Sequence, residues 1–169
     1  MSRKYKFGDN RQLYFVTFAV VGWIDVFTRT EYKDVLLDTF RYCQAHKGLE
    51  LYAYCIMPNH VHMIIGSHQE PLANIMRDLK SFSAKQLIKR IQAHPGESRK
   101  EWILSLMRQA GESNSNNTKF QFWLQHNKPI ALGDSKILEQ KLAYIHNNPV
   151  AAGFVDREDA WLYSSARDY

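Results

Sequence analysis

The stretch "MPNHVHMII", Met57 to Ile65, places two histidines, His60 and His62, either side of one valine. Side chains alternate along a strand, so these two imidazoles share one face while Val61, Met63 and Ile65 take the other. Two imidazoles one pleat apart can bind one cation together, with the pleat fixing their separation. Spacing alone suits equally a pair satisfied by surface hydrogen bonds or packed on aromatics. A second segment, "KLAYIHNNPV", has helical spacing: Tyr144 and Asn148 are i, i+4 and share a face with Lys141 and Gln140. A phenol beside a carboxamide has the makings of a nucleophile next to a metal ligand, although spacing alone favours an amphipathic core position for Tyr144. His46, His68, His94, His126 and His146 have no comparable partner and read as ordinary.

Something must hold these two segments together. "LYFVTFAVVGW", residues 13–23, is β-branched and aromatic and predicts a strand. A helix follows, with Val35, Leu36, Phe40 and Cys43 on one face, Thr30 as its cap and Gly48 as its stop. "LELYAYCIM" and "HVHMIIG" predict two strands, joined so tightly at Pro58-Asn59 that they pair as an antiparallel hairpin. Leu72, Ile75, Met76 and Leu79 open a long helix that ends at "HPGES", with Arg77, Lys80 and Lys85 off its apolar stripe.

"RKEWILSLMRQA" predicts another helix, and "GESNSNNT" a polar, mobile loop. Strand character returns around Phe120–Leu124 and Ile130–Leu132. The "DSKILEQKLAYIHNN" helix is then capped by Asp134 or Ser135 and stopped by Pro149. The aromatic tail, "AAGFVDREDAWLYSSARDY", packs back on the domain.

The order is β-α-β-β-α-(insertion)-β-α, which predicts an α+β, ferredoxin-like antiparallel sheet with helices on one face and an active site on the open face. All of residues 1–169 form one domain, with a helical and loop insertion near 95–118.

Composition narrows the class of molecule. A 45% hydrophobic and 13% aromatic content over 169 residues supports a real core and argues against disorder. There is no run of about 18 apolar residues to span a bilayer, and no apolar core with a cleavage site follows "MSRKYKFGDN" as in a secretory signal. Cys43 and Cys55 read as free buried thiols of a cytoplasmic protein. The net charge of +5 suits a polyanionic partner, although a solvated charged surface explains it as well.

"MPNHVHMII", "YIHNNPVAAGFV" and the terminal "WLYSSARDY" together resemble the REP-associated tyrosine transposases, single-tyrosine members of the HUH endonucleases. "FQFWLQHNKPIAL" is similar to the segment that this family places before its tyrosine helix, and the likeness runs in order from about Leu13 to Tyr169. The resemblance implies that His60 and His62 are metal ligands and Tyr144 the nucleophile. Asn148 becomes the third ligand, an asparagine where related enzymes use glutamine. It further implies a divalent ion, Mg²⁺ or Mn²⁺, and cleavage and rejoining of single-stranded or hairpin DNA through a 5′-phosphotyrosine.

Such an enzyme would work in the cytoplasm, nucleoid-associated when bound to DNA. Relatives act as single subunits or as homodimers that swap the tyrosine helix, and both stay open. A basic track with stacking platforms would hold the DNA: Arg3, Lys4, Arg11, Lys80 and Lys85, with Trp123 or Trp161. Two rivals remain, a catalytically silent hairpin-binding protein derived from a transposase and a hydrolase using metal-bound water.

Overall fold

The computed structural model describes residues 6–114 and 119–169, so Arg3 and Lys4 lie outside the described residues. Strand β1 (Tyr14–Ala19) is followed by α1 (Thr30–Lys47), the hairpin strands β2 (Leu49–Ile56) and β3 (His60–Ser67), and α2 (Leu72–Ala93). Then come α3 (Lys100–Glu112), the two-residue β4 (Ile130–Ala131) and α4 (Ser135–Ala151). Among the described residues the four strands form one sheet in the order β2-β3-β1-β4, every neighbouring pair antiparallel. This is the ferredoxin-like order that the β-α-β-β-α-β pattern predicts.

Alternation along the strands divides the molecule into two cores. Tyr14, Val16 and Phe18 of β1 and Val61, Met63 and Ile65 of β3 point toward α1 and α2. There they meet Leu36, Phe40, Ile75, Met76 and Leu79, the stripes that the helical spacing predicts. The expected insertion adds to this core, because α3 contributes Ile103, Leu104 and Met107 to it. Phe15, Ala53, Cys55 and Ile64 point the other way and pack against Ile145, with Leu138 and Leu142 beside it. The face that carries the histidines is therefore crossed by α4, and the site lies in what that helix leaves uncovered.

Four local expectations are corrected. The first strand ends at Ala19, because Gly22 at φ 66° and Trp23 at φ 53° turn the chain through a 3₁₀ turn, Val21–Trp23. Thr30 is the first residue of α1 rather than its cap; Arg29 holds the cap position, and no side chain caps that end. The segment Phe120–Leu124 makes only a single bridge, Val20 to Trp123. Pro129 lacks an N–H to donate and Lys128 sits at φ 44°, so no regular ladder forms before β4. Pro149 lies inside α4 instead of stopping it. The stop is Gly153 at φ 76°, where Gly153 N–H donates to Val150 O and Phe154 N–H to Pro149 O. Those two bonds close a glycine-terminated helix end in the usual way.

Other readings stand as drawn. Gly48 ends α1 in the left-handed region at φ 73°, Asp134 caps α4 by accepting from Ile137 N–H, and the tail packs back on the domain. The tail's Trp161 Nε1 donates to Ile56 O, and Ser165 Oγ accepts from Tyr54 N–H. Cys43 and Cys55 are free and buried. Among the described residues no helix is long and apolar enough to cross a membrane.

Candidate active site

His60 and His62 emerge from the first half of β3 with ring centroids 4.7 Å apart, on the face opposite the main core. Thr17 lies directly opposite His62 across the β1–β3 ladder, and Ala19 opposite His60. His62 Nδ1 is 2.7 Å from Thr17 Oγ1. His60 Nδ1 is 2.7 Å from Asn59 Oδ1. The Asn59 amide is itself oriented, because its Nδ2 donates to Asp25 Oδ1 at 2.9 Å and to Trp23 O at 3.3 Å. Its oxygen is left to accept, so His60 Nδ1 carries the proton and Nε2 keeps its lone pair.

His62 Nε2 is buried and, among the described residues, is the buried side-chain polar atom without a hydrogen-bond partner. A buried polar atom normally finds a partner, so an unpaired nitrogen on an imidazole whose ring centre lies 4.7 Å from that of a second imidazole is the signature expected of a ligand position.

The same crowding sets the charge of the pair. Burial lowers the His60 pKa from its ordinary value, opposed by a hydrogen bond with Asn148 and by nearby Asp25. His62 lies deeper, and burial, then His60 and Lys141, push it down to about 3. Both imidazoles are thus held neutral, the form that binds metals.

Helix α4 brings the other half of the site. Tyr144 is 49% exposed, which rules out the core position its helical spacing allowed. Its ring stands edge-on to His62, centroids 5.2 Å apart, and to Phe15 at 5.9 Å. Phe15 in turn stacks on His62 at 5.6 Å, so the ring is held by aromatic edges rather than entombed. Lys141, one turn earlier, places its Nζ 4.8 Å from the Phe15 ring centre and 5.6 Å from that of Tyr144. Asn148, one turn later, lies beside His60 and counters the lowering of its pKa.

Four residues named from sequence therefore converge: His60, His62, Tyr144 and Asn148. Among the described residues no cluster of three or more His, Cys, Asp or Glu side chains could hold a metal. The unpaired His62 Nε2 fits a ligand position, and a cation here would take a third protein donor from the Asn148 carboxamide.

The basic residues do not converge. Lys80 points inward, donating to Leu124 O at 2.7 Å and Asn127 Oδ1 at 2.9 Å, and its burial pushes its pKa down to about 8. It ties the segment before β4 to α2. Lys85 is exposed on α2, in the helical layer across the sheet from the histidines. Arg11 is exposed and paired with Asp9. Trp123 is no stacking platform, being buried with its Nε1 donating to Ser83 Oγ. Sequence reasoning missed Thr17, Asn59 and Asp25 as supports of the two imidazoles. A lone polar residue in the apolar β1, on the parity of Phe15, was the available signal for Thr17.

Residues 23–105 match the family model described as transposase IS200 like. A Haemophilus influenzae protein described as a candidate REP-associated tyrosine transposase is 26% identical over 141 residues, which span 80% of this chain and 69% of that protein. The fold is similar to that of a REP-associated tyrosine transposase solved bound to a REP hairpin. The TM-score is 0.70 at 17% identity, over 99% of this chain and 84% of that one. A crystal structure of a candidate transposase from Deinococcus radiodurans R1 is similar with a TM-score of 0.50 at 23% identity, over 87% of this chain and 95% of that one. These findings bear out the resemblance drawn from the motifs.

Proposed function

We propose that this chain, a relative of the IS200-like transposases, is a tyrosine-nucleophile strand transferase acting on single-stranded or hairpin DNA. One observation carries the reading: a half-exposed tyrosine on α4 stands 5.2 Å, ring to ring, from a buried imidazole whose Nε2 has no partner. A purely structural site would have no reason to leave that nitrogen unpaired. The relative bound to a REP hairpin supports a DNA hairpin as the substrate class.

The chemistry follows from the residues. Tyr144 Oη attacks the phosphorus, forming a Tyr–O–P bond as the bond from phosphorus to the 3′ oxygen breaks. The phenolic proton leaves to solvent from the half-exposed side chain, and the departing 3′ oxygen takes up a proton. The products are a 5′-phosphotyrosine and a free 3′-OH, and reverse attack by a 3′-OH rejoins strands without an added energy source. Lys141 brings a cation beside the tyrosine ring, where it would attract the scissile phosphate. Phe15 and His62 keep the tyrosine ring from turning away. A divalent ion, Mg²⁺ or Mn²⁺, held by His60, His62 and Asn148 would stabilise charge building on the phosphate and leaving oxygens. With α4 folded back on its own sheet, this reading needs no second subunit to bring Tyr144 to His62.

The test is incubation with hairpin oligonucleotides bearing single-stranded flanks and Mn²⁺, assayed for a covalent protein–DNA adduct. Tyr144→Phe should abolish the adduct and leave hairpin binding within about twofold of wild type. His60→Ala and His62→Ala should each abolish cleavage. A Tyr144→Phe protein that cuts at the wild-type rate would point to water as the nucleophile. A wild type that binds but never cuts would point to a silent hairpin-binding protein.

A further inference from the structure

Resting on that reading, we infer that the cavity beside the histidines, between β1 and residues 124–128, seats one unpaired nucleobase of the strand being cut. The cavity measures about 280 Å³ and is walled by Thr17, Trp23, Leu124, Gln125, His126 and Lys128. It adjoins the active site through two of its walls. Thr17 Oγ1 hydrogen-bonds to His62, and the Trp23 ring lies 5.6 Å from that of His60.

Size and chemistry both point to a base. The volume falls just below the roughly 300 Å³ at which pockets begin to take drug-sized ligands, so it suits one ring system. Trp23, 52% exposed, offers an indole face for stacking. Gln125 and His126 supply donors and acceptors for a base edge, and Lys128 a cation for the attached phosphate. A flat aromatic surface with polar readers and a basic rim is how proteins hold unpaired nucleotides.

Backbone strain marks the same place. Among the described residues the non-glycine positions with positive φ are Trp23, at 53°, and Lys128, at 44°, and both wall this cavity. Side chains other than glycine adopt that region at a cost, and strain of this kind persists where the surroundings enforce it. Here they do. Trp23 O accepts from the Asn59 amide that also orients His60. Opposite, the Lys80 ammonium fixes Leu124 O and Asn127 Oδ1, and Asn127 O accepts from Thr17 N–H. The two walls are thus locked to the frame that positions the histidines, so a base seated between them would set which phosphodiester reaches Tyr144.

Binding of the full-length protein to hairpin oligonucleotides, intact or with one abasic position at a time in the flanks, tests this by a double-mutant cycle. Trp23→Ala should weaken binding of intact DNA about tenfold. One abasic position should weaken wild type to a similar extent, and the two changes together should cost no more than either alone. Trp23→Phe should restore most of the affinity. Should Trp23→Ala melt below the assay temperature, the same cycle runs on Gln125→Ala. Losses that multiply at every position, or a Trp23→Ala protein that binds like wild type, would overturn the pocket.

The adduct assay separates this inference from the function it rests on. A coupled position without any adduct keeps the pocket and ends the strand-transfer reading. An adduct without a coupled position ends the pocket alone, and a chain that binds none of these oligonucleotides ends both.

Discussion

Replacing Thr17 with valine should loosen a metal from a site that valine does not touch. The two side chains are nearly isosteric, so the change removes the hydroxyl and little else. That hydroxyl sits 2.7 Å from His62 Nδ1, on an imidazole only 4% exposed. For His62 Nε2 to ligate a cation, Nδ1 must carry the proton, and Thr17 Oγ1 is the acceptor that stabilises this tautomer. Without it a buried N–H is left unpaired, which costs about 1–3 kcal/mol of stability. The ring is then also free to carry its proton on Nε2. Loss of such an outer hydrogen bond typically weakens metal binding about 10–100-fold, or roughly 1.4–2.8 kcal/mol. Both effects arise from one bond and are not to be added. Calorimetric titration with Mn²⁺ reads the affinity, and urea titration of the metal-free protein reads the stability. Thr17→Ser, which keeps the oxygen, should stay close to wild type in affinity. An Mn²⁺ affinity for Thr17→Val within twofold of wild type, beside a His62→Ala protein that binds none, would reduce Thr17 to a packing residue and refute the tautomer argument.

Two further outcomes follow from the same structure. His62 titrates at about 3 in the folded chain against an ordinary 6.5. Between those values the unfolded state holds a proton that the folded state does not, so its contribution to stability is intact above pH 6.5 and lost as pH falls toward 3. The slope approaches ~1.4 kcal/mol per pH unit. His62→Phe should flatten the acid limb of a stability–pH curve from urea titrations, and an unchanged limb would contradict the buried neutral assignment. Gly48→Ala should destabilise by roughly 2–4 kcal/mol, combining the left-handed penalty with overpacking. Its new Cβ would lie 2.6 Å from Gln69 Cβ at φ 73°, and a thermal melt within a degree of wild type would rule that account out.

Some of this architecture was legible in the chain because the information is local. The period-two alternation of "HVHMII" and the 3.6-residue stripes of α1 and α2 depend only on which face must be dry. They suffice to put His60 and His62 on one face and the core residues on the other. The short Pro58-Asn59 link dictates an antiparallel hairpin, and the order of elements then dictates the sheet. Helix ends were less legible where signals competed. Pro149 is an obvious breaker, yet α4 carries it inside its last turn, forgoing the N–H that would have bonded Ile145 O, and Gly153 ends the helix.

What the tertiary structure decided is everything that depends on partners far apart in the chain. Spacing by itself favoured a core position for Tyr144. Its exposure was settled by how α4 lies across β2 and β3, where Ile145 takes the buried position instead. Lys80 reads as one more surface cation until Leu124 and Asn127 are seen to surround its ammonium. Thr17, 45 residues from His62, became its hydrogen-bond partner only through the register of β1 on β3. A linear chain states which groups it owns, but charge state, tautomer and reach are set by the neighbours that folding supplies.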